Sequence, residues 1–327
     1  MSEQEPIVVL YCIDDAYLPQ AGIALASLLD SNRKARFEIV VAAIDRNRTH
    51  FETVFGSVLA KRRHAALSYV DLDDGLFADL RVTKAFSRSA YTRIILQRFI
   101  DARHARVLYL DADTIVRGDI TPLWQADLGG ATIGAVPDHF RLDAEVIGFD
   151  AGEPYFNSGM ILIDMARWRE RNCEQRVLDV LARRGHELPW MDQDALNIAL
   201  RGEVRFLDLV WNWQPRCADV PAAFLGLDEV RYAAVRTAPK VVHYTTSFKP
   251  WNAAYRVHYS TWFFTAARAS GIPAQYLPAC PPPRGLAQRL MQTKTSLRWG
   301  APWAFRTMRR LLKPEAAAAM YRAGPSE

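Results

Sequence analysis

Val107-Leu108-Tyr109-Leu110-Asp111-Ala112-Asp113 is the stretch on which the fold turns. Four apolar residues in succession, with no polar alternation, are what a strand covered on both faces requires. Two carboxylates follow at once, with one residue between them. In extended backbone residues i and i+2 project to the same side, so Asp111 and Asp113 are expected to converge just past the strand end. Two like charges a few ångströms apart repel, and one takes up a proton unless a cation neutralises the pair. A hard divalent ion with oxygen ligands, Mg²⁺ or Mn²⁺, answers that need, and phosphate oxygens commonly complete its shell. The alternative is a solvated acidic turn in which Asp113 caps a helix.

Similar short apolar runs lie on either side: Ile7–Ile13, Phe37–Ile44, Leu67–Leu72, Thr132–Val136, Met160–Ile163 and Val241–Tyr244. Helix-like stretches fall between them at Pro19–Asp30, Arg48–Arg63 and Tyr91–Ala102; around the first, Leu18, Ile23, Leu25 and Leu28 share a face. Alternation of this kind predicts an α/β fold, a mostly parallel sheet flanked by helices, with ligands beyond the carboxyl ends of the strands. No internal repeat is visible. The first strand runs into Cys12-Ile13-Asp14-Asp15-Ala16-Tyr17, not into GxGxxG, and GxxxxGK[ST] is absent, which argues against dinucleotide dehydrogenases and P-loop enzymes.

Composition sets the outer bounds. The 327 residues are 50% hydrophobic and 24% charged, which excludes disordered, collagen-like and low-complexity architectures. No apolar run reaches the roughly 20 residues of a membrane span. Met1–Pro6 is acidic and does not read as a signal peptide. Cys12, Cys173, Cys217 and Cys280 form no CxxC pair, and free thiols in a reducing cytoplasm are expected. The net charge of +5 is unevenly placed: residues 284–327 carry nine Lys/Arg against two acids, and the remainder is nearly neutral. A nucleic-acid-binding body is therefore not expected. Pro278-Ala279-Cys280-Pro281-Pro282-Pro283 reads as a stiff linker, which divides the chain into a domain at 1–277, a linker at 278–283 and a basic helical appendage at 284–327. Arginines interleaved with Trp299, Trp303 and Phe305 there suit a helix on an anionic membrane surface, through residues 284–322; a solvated helix or a disordered tail is the alternative.

His243 follows a second apolar run and can also lie at a strand end, either as a hydrogen-bonded core histidine or as a third ligand that favours Mn²⁺ over Mg²⁺. A hydroxyl-rich loop, Tyr244-Thr245-Thr246-Ser247-Phe248, then leads to Lys249, which suits a diphosphate.

With Asp14, these residues resemble glycosyltransferase family 8, the retaining nucleotide-sugar enzymes that include bacterial lipopolysaccharide galactosyl- and glucosyltransferases and glycogenin. The resemblance covers residues 7–252 and rests on six motifs in order: Asp14-Asp15, Tyr91-Thr92-Arg93, Leu108–Asp113, Phe156-Asn157-Ser158-Gly159, Asp192-Gln193-Asp194, and His243-Tyr244 with Lys249-Pro250-Trp251. It implies a GT-A fold, a UDP-sugar donor and Mn²⁺. It also implies that Asp111, Asp113 and His243 hold the metal, that Asp14 accepts a hydrogen bond from uracil and Tyr17 stacks on it, that Arg93, Asp138, Asn157, Asp192 and Gln193 surround the donor sugar and reacting centre, and that Lys249 binds phosphate. Two departures are plain: Ala16 stands where the family often has Asn, and Thr246-Ser247-Phe248 where relatives often have glycine and proline.

Taken singly, several of these residues have structural alternatives. Asp192 can be the N-cap of a helix over Ala195–Leu200, Asn157 a turn residue, Arg93 a surface cation, and Trp211, Trp213 and Trp251 either core or a stacking surface for sugar. Retention of configuration needs a nucleophile on the far face of the sugar or front-side attack by the acceptor. Gln193 is a poor nucleophile beside Asp192, Asp194 or Asp138, and front-side attack is expected. The acceptor is expected to be a glycan or lipid-linked saccharide, met in the cytoplasm or at the inner membrane face. The strongest rival is a phosphatase of the haloacid-dehalogenase type with Asp111 as nucleophile and Asp113 as acid/base; against it, residues 7–106 precede the motif and the late strand ends in His243. A sugar-binding protein with a decayed site ranks third, because every expected ligand is present.

Overall fold

A computed structural model describes residues 5–44, 47–77, 88–141, 144–150, 152–246, 249–252 and 257–279. The expected tail and all of the linker beyond Ala279 lie outside the described residues, as do Cys280, Ser247 and Phe248.

The strands are β1 (Ile7–Ile13), β2 (Phe37–Ile44), β3 (Ala65–Leu72), β4 (Arg106–Leu110), β5 (Thr114–Val116), β6 (Ile133–Pro137), β7 (Phe156–Asp164), β8 (Val204–Phe206) and β9 (Val241–His243). The helices are α1 (Leu18–Ser31), α2 (Arg48–Leu59), α3 (Thr121–Trp124), α4 (Met165–Glu170), α5 (Cys173–Arg184), α6 (Met191–Ala199), α7 (Glu229–Thr237) and α8 (Ser260–Ala269). Seven strands form one sheet in the order β3-β2-β1-β4-β7-β6-β8. All run parallel except β7, which is antiparallel to β4 and β6. Helices cover both faces. On β1 the alternation separates two cores: Val9, Tyr11 and Ile13 pack with α1 and α2, whereas Val8, Leu10 and Cys12 pack with Tyr91, Ile94 and α6. Removing a side chain such as Leu108 or Leu110, both fully buried, costs about 2–5 kcal/mol.

Each sequence-derived strand is present, with edges shifted by a few residues. The expected helix at Tyr91–Ala102 is instead a 3₁₀ segment, Arg88–Arg98, kinked at Ile95. Three β-branched residues within four positions, Thr92, Ile94 and Ile95, disfavour a regular α-helix. Arg48–Arg63 ends early, at Leu59, because Arg62 leaves the helix to reach Asp30 and the backbone carbonyls of Ala269 and Ser270.

Two irregularities shape the cleft. After β4 the chain does not continue extended: Ala112 and Asp113 form a turn, closed by the Thr114 hydroxyl donating to the Asp111 carbonyl at 2.8 Å. The following β5 pairs antiparallel with β9 in a separate two-stranded sheet, Thr114 opposite His243. Second, the β6–β7 register breaks: Ala135 pairs with Ile161 but Val136 with Asn157. Ser158, Gly159 and Met160 are thus unpaired on the β6 side, and the bulge frees two backbone N–H groups for side chains.

Candidate active site

The strand ends bring Asp111, Asp113 and His243 together. One ligand atom from each lies within 4.8 Å of the others. His243 Nε2 is 3.1 Å from Asp113 Oδ1 and 3.5 Å from Asp111 Oδ2. The two carboxylates converge through the turn, with the β5–β9 pairing delivering the imidazole, and not through continuous extended backbone as expected. Nor does Asp113 cap a helix in solvent: it is 7% exposed and a strand follows it.

Each acid has a cation beside it. Arg93 Nη2 lies 3.1 Å from Asp111 Oδ1, which also accepts from the Tyr109 hydroxyl. Lys249 Nζ donates to Asp113 Oδ2 and to the Tyr244 carbonyl. Burial alone would raise Asp113, but the Lys249 charge beside it outweighs this and holds the carboxyl well below the usual range. Burial likewise works against the Lys249 charge, and Asp113 keeps it protonated. The remaining Asp113 oxygen, Oδ1, is buried and accepts no hydrogen bond from the described residues. Gly159 faces this point across the cleft. A Cβ there would come within 2.0 Å of His243 Cε1 and 2.7 Å of Asp111 Oδ2, so only glycine leaves room. An orphaned acid oxygen, a second acid and an imidazole nitrogen around one small space form a donor set that fits a divalent cation.

Beside it, polar side chains saturate one another. Gln193 Oε1 accepts from the Ser158 N–H at 2.9 Å and from Asn157 Nδ2 at 3.2 Å. Asn157 Oδ1 accepts from the Gly159 N–H at 3.1 Å, and its Nδ2 donates to Asp138 Oδ2 at 3.2 Å. Asn157 therefore clamps the bulge and is not a turn residue. Burial would raise Asp138, but Arg216 and Asn157 outweigh it and hold it lower; Arg216 Nη2 stands 3.3 Å away.

Helix α6 begins at Met191, so Asp192, Gln193 and Asp194 occupy its first turn and Asp192 is not the N-cap. Asp194 reaches back to the Trp190 N–H at 2.7 Å and is fully buried against Arg141 and the Tyr155 hydroxyl. Asp192 has only Arg93, at 3.4 Å. Burial pushes it up to about 6; Arg93 opposes this, while Asp111 and Asp194 add to it. Arg93 is no surface cation: 7% exposed, it lies over the Tyr109 ring and bridges Asp111 and Asp192.

Asp14 caps the 3₁₀ turn Asp15–Tyr17, its Oδ1 accepting from Ala16 and Tyr17 N–H groups. Tyr17 is half-buried, edge-on to Trp251 at 6.3 Å. Trp251 is partly buried on Phe263, Trp213 is fully buried, and Trp211 packs at the core margin. The groups that meet Asp111 and Asp113 are Tyr109, Arg93, Lys249 and His243, not the second acidic pair that the phosphatase reading requires.

Sequence reasoning missed Asn212, Tyr109 and Arg216. Asn212 had a signal: one amide inside Val210-Trp211-Asn212-Trp213, where burial demands partners. Tyr109 reads as an ordinary strand residue, and nothing in the sequence marks Arg216.

Residues 8–254 match the sequence profile of glycosyl transferase family 8. General stress protein A of Bacillus subtilis is 30% identical over 280 residues, 81% of this chain and 94% of that protein. The lipopolysaccharide 1,2-glucosyltransferase of Escherichia coli K12 is 25% identical over 262 residues, 77% of this chain and 75% of that one. Among solved structures, the galactosyltransferase LgtC, crystallised with donor and acceptor sugar analogues, superposes with a TM-score of 0.71 at 24% identity, over 83% of this chain and 99% of LgtC, and shares the fold. With the family profile matched over most of its length and its sheet shared with LgtC, the chain belongs to glycosyl transferase family 8 and is a hexosyltransferase of the GT-A fold.

Proposed function

We propose that the protein is a retaining enzyme that moves glucose or galactose from a UDP-sugar to a saccharide or lipid-linked saccharide, with Mn²⁺ held by Asp111, Asp113 and His243. The observation that carries this reading is the buried, hydrogen-bond-free Asp113 Oδ1 facing His243 Nε2 and Asp111 across the space that Gly159 leaves. When bound, the cation neutralises charge on the diphosphate leaving group. Lys249 adds a positive contact to phosphate, and Asp14 with Tyr17 receives the uracil. Arg93, Asp192, Asp138, Asn157 and Gln193 line the sugar and the reacting centre.

The attack is front-side. Asp194 is locked by Arg141, Tyr155 and the Trp190 N–H, and Asp138 by Arg216, Asn157 and the Phe140 N–H; Asp192 is ion-paired with Arg93 at 3.4 Å. Each carboxylate that could attack from the far face is thus already engaged. The bond from the anomeric carbon to the phosphate oxygen breaks, the acceptor oxygen bonds to that carbon on the same face, and the acceptor proton passes to the departing phosphate.

A panel of UDP-sugars, assayed for Mn²⁺-dependent hydrolysis and transfer, tests this. One hexose donor should be consumed with retention. No UDP-sugar turned over above an Asp113→Asn control rejects the reading.

The tail enters the same proposal by its charge: residues 284–322 hold the enzyme to an anionic membrane, at the cytoplasmic face where a lipid-linked acceptor would be met. No helix among the described residues is long and apolar enough to cross a membrane. Deleting 284–327 should abolish binding to anionic liposomes and preserve UDP-sugar hydrolysis; undiminished liposome binding rejects the idea.

A further inference from the structure

His243 Nδ1 faces two amide oxygens, Asn212 Oδ1 at 3.0 Å and Asn157 Oδ1 at 3.1 Å. Which atom of each amide is the oxygen is fixed by donors that cannot be reversed. The backbone N–H of Gly159 points at Asn157 Oδ1, and the backbone N–H of Ser158 points at Gln193 Oε1. Asn157 Nδ2 must then face Gln193, as it does. Asn212 Nδ2 donates to Asn157 Oδ1 at 2.9 Å, which turns Asn212 Oδ1 toward the imidazole. Two acceptors leave Nδ1 one role, that of donor. Nδ1 therefore carries a proton, and in the neutral ring Nε2 then turns its lone pair toward Asp111 and Asp113.

An unaided neutral imidazole beside two carboxylates would carry its proton on Nε2 and donate it to them. The amides hold it the other way, and that arrangement is useful only if something positive occupies the space between. The contacts form one directed series, His243 to Asn212, Asn212 to Asn157, Asn157 to Gln193, with all four side chains buried.

We propose that Asn212 is a positioning residue: it sets the His243 tautomer that accepts the cation and, by orienting Asn157, ties the cation site to Gln193. The proposal rests on the reading of Asp111, Asp113 and His243 as a cation site, and its test separates the two. In the full-length, metal-free protein labelled with ¹⁵N-histidine, two-bond ¹⁵N–¹H correlation spectra at about pH 8, above the ordinary titration of histidine, should show His243 as the Nδ1–H tautomer. Asn212→Leu should move it toward Nε2–H and weaken Mn²⁺ binding, read by electron paramagnetic resonance, about tenfold. Asn212→Asp keeps the acceptor and loses the donor. It should keep the tautomer and bind Mn²⁺ at least as tightly as wild type, while transfer slows because Asn157 is no longer held. A wild-type His243 in the Nε2–H form, unchanged tautomer and Mn²⁺ affinity in Asn212→Leu, or weakened Mn²⁺ binding in a folded Asn212→Asp each overturns the role of Asn212. If wild type shows the Nδ1–H tautomer but binds no Mn²⁺, the cation reading fails and takes the proposal with it.

Discussion

Asp113, in the turn after β4, and Asp192, in the first turn of α6, are both buried carboxylates with a cationic neighbour, yet burial ends differently for each. Asp113 has Lys249 bound directly to it and is held well below the usual carboxylate range. Asp192 shares Arg93 with Asp111, lies near Asp194, and is pushed up to about 6. The same residue type meets the same desolvation, and the number of uncommitted positive groups decides the outcome. The strand end is therefore a place where negative charge is maintained for a ligand. The helix start is a place where negative charge is tolerated at a cost.

Asp113→Asn challenges the first half of that contrast. It removes the charge that balances Lys249 and half of the cation's carboxylate set. UDP-sugar hydrolysis should fall by about 10³-fold, the scale of losing a strong electrostatic stabiliser of the reacting centre. A loss below about tenfold would mean that the pair does not serve a cation. Gly159→Ala tests the same space without touching a charge. Its methyl would overlap His243 and Asp111, so Mn²⁺ affinity should fall by about 10²-fold, on the scale of a disrupted ligand shell. Overpacking should also lower stability by about 1–3 kcal/mol. Wild-type Mn²⁺ binding in this variant would show that the site opens freely.

The strand end was also the more legible of the two regions. Apolar runs mark strands covered on both faces, and β1, β2 and β4 appear where Ile7–Ile13, Phe37–Ile44 and Val107–Leu110 place them. Paired acids and a strand-end histidine likewise announce their chemistry by residue type. What the residues alone did not disclose depends on contacts distant along the chain. The turn at Ala112–Asp113, the β5–β9 pairing and the β7 bulge leave no local signal, because each is fixed by which strand lies alongside. Asn212 and Tyr109 act through His243 and Asp111, and such a role becomes visible only once the partner is in place. Short β5 and β8 carry too few residues to show periodicity. An N-cap stood open as an alternative for Asp192 because an acid before Ala195–Leu200 is commonly one; the helix starts earlier, at Met191, and buries it.

The helix half of the contrast is open to a stability measurement. Asp192 ionises near an ordinary carboxylate value when unfolded and at about 6 in the fold. The native state therefore binds the extra proton, and the contribution of Asp192 is fully present below about pH 4 and lost as pH rises through about 6. Two pKa units correspond to roughly 2–3 kcal/mol. Asp192→Asn should remove this slope, so that thermal melts of wild type and variant diverge between pH 4 and 7 by about that amount. Parallel pH profiles would show that Arg93 alone keeps Asp192 ionised.

Gln193 lies one residue on, and the smallest change is expected there. Its carbonyl oxygen already accepts from Ser158 N–H, Asn157 Nδ2 and the Ser158 hydroxyl, so it is placed to hold the β7 bulge and not to attack carbon. Gln193→Ala removes an acceptor from a buried N–H, which costs about 1–3 kcal/mol, but removes none of Asp111, Asp113 and His243. Transfer should slow by about tenfold, 1.4 kcal/mol in barrier, with KM for the donor nearly unchanged and configuration still retained. A loss approaching that of Asp113→Asn would make Gln193 a participant in the chemistry and not only a support. A glycosyl–enzyme adduct recovered by mass spectrometry, on Asp192, Asp194 or Asp138, would replace front-side attack with double displacement, and the partners that now engage those carboxylates would then have to release one of them in the donor complex.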